Sequence, residues 1–179
     1  DNPGAAVIYN LICSKAVPEI ILENGGRPVR TRVGHSFIKS VMAETDAVFG
    51  GEHSGHYYFR DNFRADSGII AAMVVLEELS RVPQPLSELR KPLERYAASG
   101  ETTVEVGDPV NTVKRVQTAY AAAKQEEMDG PTVERGDWWS NLRASHPAPP
   151  PRLTLTTGGE ASARSPTSAV PPRPPAEGW

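Results

Sequence analysis

Apolar and polar positions change their period several times along this chain, and each change marks an element. Ala5-Ala-Val-Ile-Tyr9 is an unbroken apolar run of the length of a buried strand. Ser14 can cap a helix that runs through Ile20, Ile21 and Leu22 to a stop at Asn24-Gly-Gly, and Pro18 falls near the first turn, where it is tolerated. Residues 27–33 predict a strand, 35–44 a helix carrying Phe37, Ile38, Val41 and Met42, and 46–49 another strand. Strand, helix, strand, helix, strand is the order of a layered α/β unit.

Beyond a glycine-rich stretch, Asp66 or Ser67 caps an apolar helix through Ile69, Ile70, Met73, Val74, Leu76 and Leu79, read as core, and Pro83 and Pro85 end it. Residues 86–96 predict a short amphipathic helix, and Ala97-Ala-Ser-Gly100 reads as a linker. A smaller α+β domain follows. It has a strand at 102–106, a helix from Pro109 to about residue 127, and strands at 132–134 and 137–143. From Thr156 the apolar period is lost, and nine of the 17 prolines lie between 147 and 179, which predicts a disordered, proline-rich tail. The expected fold class is therefore α/β: a partial layered domain over 1–96, a smaller α+β domain over 97–155 and a tail over 156–179.

Charge narrows the partners. A net charge of -3 and a pI near 5.8 provide no basic field to gather nucleic acid or an anionic membrane. The first residues lack the basic and apolar regions of a signal peptide, and no apolar run approaches the roughly 20 residues that span a bilayer. One cysteine, Cys13, excludes an intrachain disulfide framework and fits a reducing compartment, so a cytoplasmic location is expected. Cys13 itself is read as a small buried residue, with a reactive thiol as the alternative.

The candidate chemistry lies in Gly50-Gly-Glu-His-Ser-Gly-His-Tyr-Tyr-Phe59. An ionised Glu52 can accept from two neighbouring hydroxyls of a sugar, Ser54 can donate or accept one bond more, and the glycines permit a tight turn and close approach. In open α/β sheets ligands gather at the carboxyl ends of strands, where Gly34-His35 follows one predicted strand and residues 52–56 the next. His35 and His56 are each read as ligand contacts. The alternatives are a residue that orders a helix start for His35 and a core imidazole under Tyr57 and Tyr58 for His56. His53 and the aromatic run 57–59 are read as structural, and Arg32 and Lys39 either lend charge to a phosphate or are solvated.

Several segments in order carry a family likeness: Gly26-Arg-Pro-Val, Thr31-Arg-Val-Gly-His-Ser-Phe-Ile-Lys39, Gly51-Glu-His-Ser-Gly-His56, and Phe59-Arg-Asp-Asn-Phe-Arg-Ala-Asp-Ser-Gly68. Together they resemble the phosphohexomutases, the phosphomannomutase/phosphoglucomutase enzymes, whose sugar-binding loop reads Gly-Glu-x-Ser-Gly-His. The likeness covers residues 1 to about 145, and it implies the later part of the third domain and the fourth domain of a four-domain enzyme. A C-terminal fragment is thus expected, with the N-terminal domains as its missing partners. The resemblance implies interconversion of hexose 1-phosphate and hexose 6-phosphate, of glucose or mannose, by phosphoryl transfer through a phosphoserine with Mg²⁺. It implies substrate contacts by Glu52, Ser54, His56 and His35, with His56 as a possible acid/base helper. It also implies that Arg143 and Ser145 belong to a phosphate-binding loop.

The sequence departs from that family in three places. After Arg143 and Ser145 it continues His146-Pro-Ala-Pro-Pro-Pro-Arg152 where the family reads Asn-Thr-Glu-Pro, and proline has no amide hydrogen to offer a phosphate. Near Cys13 it has Ile12 where the family often carries a ligand-reaching lysine, with Lys15 three residues on. Neither the family's serine motif, Thr-Ala-Ser-His-Asn-Pro, nor its metal loop, Asp-Gly-Asp-x-Asp-Arg, occurs, so the Mg²⁺ is expected outside this chain and the chain alone is expected to be inactive. Two other classes stay open. One is a non-catalytic sugar-phosphate or interaction module using Pro171-Pro-Arg-Pro-Pro175. The other is a metallohydrolase using His35, Glu52, His53 and His56.

Overall fold

The computed structural model of the chain describes residues 2–144 and 151–160. The chain divides into two compact units, Asp1–Arg95 and Tyr96–Trp179.

In the first unit the elements are β1 (Ala6–Asn10), α1 (Ala16–Glu23), β2 (Arg27–Thr31), α2 (His35–Thr45), β3 (Phe49–Gly51), β4 (Tyr57–Phe59), β5 (Ala65–Asp66), α3 (Gly68–Arg81) and α4 (Leu86–Leu89). They build one sheet in the order β2-β1-β3-β4-β5, parallel across β2, β1 and β3 and antiparallel from β3 through β5. β1 buries alternate residues, Ala6, Ile8 and Asn10. Ile38 and Met42, four apart on α2 and so on one helix face, close over Ala6 and Ile8 together with Ala47 and Tyr58. Burying side chains of this size contributes about 1.5–3 kcal/mol each. The helix sits so close that a Cβ at Gly50 would lie 3.2 Å from Ile38 Cγ2 and 3.3 Å from the Met42 sulfur.

α1 starts one residue later than expected, with Lys15 and not Ser14 at the cap position and no side-chain capping bond from it, although Ser14 Oγ accepts from the Ala16 amide at 3.2 Å; the helix ends where Asn24 Nδ2 donates to the Ile20 carbonyl and Gly25 takes φ +73°. Its acidic side is held by Arg95, whose two Nη atoms each meet a Glu23 carboxylate oxygen at 2.6 Å, one of them also reaching Glu19 at 3.2 Å. The fork holds the Glu23 carboxyl below its ordinary range and the Arg95 guanidinium above its own.

Three expectations for this unit need correction. The strand expected at 46–49 lies further on, at Phe49–Gly51, because Asp46 caps α2 in the left-handed region (φ 48°) before the chain turns extended. The helix expected over 86–96 is a four-residue helix followed by a 3-10 turn at Lys91–Leu93, because Pro92 supplies no amide for a continuing α-helix. α3 forms with Ser67 as its cap, the hydroxyl accepting from the Ile70 amide at 3.2 Å, yet it is not core. None of its residues is buried, and Ile69 and Met73 are 80% and 61% exposed. An apolar stripe lies in the core only where another layer covers it, and none of the described residues of this unit buries it.

The second unit contains β6 (Tyr96–Glu105), α5 (Pro109–Ala119), β7 (Lys124–Glu127), β8 (Pro131–Arg135), β9 (Trp138–Ala144) and β10 (Arg152–Glu160). Its sheet is antiparallel throughout, in the order β6-β10-β9-β8-β7. Asp108 caps α5 by accepting from the Asn111 amide at 3.0 Å, with Pro109 in the first turn. α5 ends at Ala119 rather than near residue 127. Its last carbonyls, those of Gln117 and Tyr120, accept from Gln125 Nε2, and residues 124–127 pair with β8 instead.

The segment read as a linker, 97–100, is part of β6. It pairs with β10 at Ala97↔Gly159 and Ala98↔Gly158, with a register shift next to Gly100, where φ is +74°. The tail expected from Thr156 likewise starts too early, since residues 156–160 complete β10. Gly158 and Gly159 interrupt the apolar period because the Trp139 ring packs over one of them and the Asp137 carbonyl approaches the other. The expected tail beyond Glu160 lies outside the described residues. Among the described residues no helix is long and apolar enough to cross a membrane.

Candidate functional site

The carboxyl ends of β1, β2 and β3 share one rim, and each delivers a polar residue to it. Asn10 ends β1, Gly34-His35 follows β2 and opens α2, and Glu52 follows β3. Residues 52–56 form a tight loop between β3 and β4, closed by the Glu52 amide donating to the His56 carbonyl at 2.9 Å and the Gly55 amide donating to the Glu52 carbonyl at 3.0 Å. Gly55 turns this loop at φ +84°, a conformation that costs an L side chain strain.

Glu52 does not project freely from the loop. It is only 6% exposed, with Oε1 accepting from the Tyr58 hydroxyl at 2.6 Å and Oε2 facing Asn10 Nδ2 at 3.4 Å. Asn10 is fully buried, and its carbonyl oxygen accepts from the Cys13 thiol at 3.1 Å and the His53 amide at 3.5 Å. One amide side chain thereby ties β1, the turn after it and the loop 52–56 together. Burial pushes the Cys13 thiol up to about 11, so it is a packed thiol and not a nucleophile poised at neutral pH.

The same Tyr58 oxygen lies 2.5 Å from His35 Nδ1. A phenol has one proton, and with that proton donated to Glu52 the contact to His35 must be an Nδ1–H donated to Tyr58. Neutral His35 is thus fixed as the tautomer whose lone pair is on Nε2. Burial first, and then the bond to Glu52, push the Tyr58 hydroxyl well above its ordinary range, so it remains a proton donor.

His56 is oriented in a parallel way. Its Nδ1 donates to Asp66 Oδ2 at 2.7 Å, while Asp66 Oδ1 accepts from the Tyr57 amide at 2.8 Å. These bonds, that from His56 first, hold the Asp66 carboxyl below its ordinary value. The two imidazoles meet edge to face, 4.4 Å between centroids. Each ring has Nδ1 engaged and leaves Nε2 for a ligand. Ser54 is exposed at the loop tip, and His53 is exposed beside it.

The structure therefore brings His35, Glu52 and His56 together, with Ser54 on the same loop. Sequence reasoning missed Asn10, Tyr58 and Asp66. The sequence offers Tyr58 as packing and Asp66 only as a helix cap, and neither role accounts for the bonds they make. The zinc set of His35, Glu52, His53 and His56 does not assemble, because Glu52 is turned onto Tyr58 and Asn10. Among the described residues the cluster of metal-type donors is instead His35, His56 and Asp66.

Arg143 belongs to the second unit, at the end of β9, where its Nη2 meets Glu101 at 3.1 Å and its Nε is buried without a partner. It lines a cavity of about 330 Å³ between α5 and β8-β9, with Lys114, Gln117 and Leu142. Ser145 and the proline run after it, to Pro150, lie outside the described residues.

A family profile described as "Phosphoglucomutase/phosphomannomutase, alpha/beta/alpha domain III" matches residues 1–96. The phosphomannomutase of Methanocaldococcus jannaschii is 38% identical over 160 residues, which cover 89% of this chain and 36% of that protein. The phosphomannomutase of Escherichia coli K12 is 36% identical, with the same two coverages. This chain thus spans about a third of the length of these curated relatives. A phosphoglucomutase/phosphomannomutase family protein of Burkholderia thailandensis superposes with a TM-score of 0.75 at 29% identity, over 90% of this chain and 34% of that one. The N-acetylphosphoglucosamine mutase of Aspergillus fumigatus, solved with glucose 1,6-bisphosphate, shares the fold at a TM-score of 0.62 and 13% identity, over 89% of this chain and 36% of that one.

Proposed function

Because the chain belongs to the phosphoglucomutase/phosphomannomutase family, we propose that it is the sugar-recognising part of a phosphohexomutase that interconverts hexose 1-phosphate and hexose 6-phosphate. On this reading the units Asp1–Arg95 and Tyr96–Trp179 are the later part of domain III and an atypical domain IV of a longer, cytoplasmic protein. The observation that carries the reading is the convergence of Glu52, His35 and His56 on the rim where three parallel strands end.

Each oxygen of Glu52 keeps lone pairs beyond those taken by Tyr58 and Asn10, so the carboxylate accepts from sugar hydroxyls without leaving its seat. Ser54 adds a hydroxyl contact from the loop tip. A sugar that must bind in two orientations, to exchange its two phosphate positions, is read best by such groups, which hold whichever hydroxyls present themselves at equivalent places. His56, with Nδ1 fixed on Asp66, holds or moves a proton at Nε2 for a ligand hydroxyl. Arg143, at the end of β9, is the candidate phosphate contact of the second unit.

The Mg²⁺ of such an enzyme would neutralise charge on the phosphoryl group. The residues here do not suit it. The only donor cluster among the described residues contains two imidazoles, whereas Mg²⁺ takes oxygen ligands. On this reading Mg²⁺ and the phosphoserine belong to the rest of the longer protein, and no transfer step is assigned to this chain.

The test is an NMR titration of the folded chain with glucose 1-phosphate and with mannose 1-phosphate. Saturable shifts at His35, Ser54 and His56, lost in Glu52→Gln and Ser54→Ala, support the reading. A folded chain whose resonances stay still with both sugars overturns it for this chain.

A further inference from the structure

One donor atom from each of His35, His56 and Asp66 lies within 4.8 Å of the others. The three come from distant points in the sequence, the start of α2, the end of the loop and the end of β5, so their meeting is a product of the sheet topology. We propose that they form a binding site for a borderline transition-metal ion, represented by Zn²⁺, which blocks the rim when it binds.

Chemistry favours that class of ion. Two neutral imidazoles and one carboxylate match zinc and disfavour magnesium or calcium, which take oxygen ligands in larger number. In a tetrahedral site, zinc bonds of about 2.0–2.2 Å place two donors about 3.4 Å apart, so the widest separation here must close by about 1.4 Å. The required movement falls on His35 and Asp66, both exposed, and for His56 to ligate beside Asp66 the proton that its Nδ1 donates across 2.7 Å moves to Nε2, leaving Nδ1 as the ligand atom. Outer support is present too. Tyr58, held by buried Glu52, accepts from His35 Nδ1 and fixes both that ring's orientation and its lone-pair nitrogen. Three protein ligands leave the fourth position open to water or to a phosphate oxygen.

Metal binding itself does not depend on the sugar reading; only the blocking effect rests on it. The first measurement is calorimetric titration of the whole chain with ZnCl2 in phosphate-free buffer, with the imidazole resonances followed by NMR. One saturable site is expected, with His35 and His56 both perturbed. His35→Gln, His56→Gln and Asp66→Asn each weaken it at least about tenfold, and Tyr58→Phe weakens it by about that factor through loss of the outer bond. His53→Gln and His146→Gln leave it unchanged, and Mg²⁺ does not compete. Absence of saturable binding by the folded chain, or binding that survives His56→Gln or is lost in either control, overturns the site. If zinc binds as described but the sugar phosphates never do, the sugar reading has failed and the metal site stands. If both bind and do not exclude one another, the site stands and its blocking role falls.

Discussion

The hydroxyl of Tyr58 lies 2.6 Å from a carboxylate oxygen of Glu52, and both residues are buried. The loop carboxylate is therefore seated from below by the strand that leaves the loop, six residues on. Through the same oxygen the seat extends to His35, so one phenol fixes two residues of the rim.

Replacing Tyr58 by Phe keeps the ring in the core and removes only this hydroxyl. Two buried or partly buried partners then lose a bond, and the chain should lose about 1–3 kcal/mol of stability. Sugar-phosphate affinity should also fall, by about tenfold if the lost order is worth about 1.4 kcal/mol. Denaturant unfolding and the NMR titration read the two effects separately. A variant as stable as the parent would mean that the Glu52 carboxylate is hydrated in solution and not seated on Tyr58.

The bond from His56 to Asp66 carries a pH signature. With the Asp66 carboxyl below its ordinary value in the folded chain, its contribution is fully present above the unfolded value of about 3.9 and is lost as the pH falls through the folded value. Asp66→Asn should therefore lower the melting temperature at pH 5, with the gap to the parent shrinking toward pH 3. A gap that stays constant over that range would show that Asp66 acts through packing and not through its charge.

How far this could be read from the sequence depends on the range of the interaction. β1, α1, α2 and the loop announce themselves through local runs, caps and glycines, and with them Glu52, His35 and His56. Asn10, Tyr58 and Asp66 do not, because their roles depend on which strands are neighbours. Asn10 reaches Glu52 only because β1 lies beside β3, and Asp66 reaches His56 only because β5 pairs with β4. Local propensity also misled where tertiary pairing overrode it. Ala121-Ala-Ala123 and Glu126-Glu127 are good helix formers, yet 124–127 pair with β8.

Cys13 should react slowly. A thiol raised to about 11 has roughly a hundredfold less thiolate at neutral pH than one at the model-peptide value near 8.5 to 9. Alkylation by iodoacetamide should lag behind that of a free cysteine peptide by about that factor and accelerate up to about pH 11. Asn10→Ala, which removes the acceptor of the thiol and opens the turn, should speed it at pH 8. Peptide-like reactivity in the parent chain would place Cys13 in solvent and undo the Asn10 network with it.

Gly158 decides where the second unit ends. The composition after Thr156 reads as a tail, whereas the structure carries β10 on to Glu160 with Gly158 beneath the Trp139 ring. A Cβ there would fall 2.8 Å from Trp139 Nε1 and 2.9 Å from Cε2, closer than packed atoms approach, and the ring, 5% exposed, has little room to yield. Gly158→Ala should therefore cost about 1–3 kcal/mol, as overpacking does, and lower the melting temperature by several degrees, with tryptophan fluorescence as the probe. Gly107→Ala is the matched control, since nothing lies within 4 Å of a Cβ at that position. If the two variants melt together, residues 156–160 do not lie under Trp139 in solution, and the reading from composition is the correct one for that stretch.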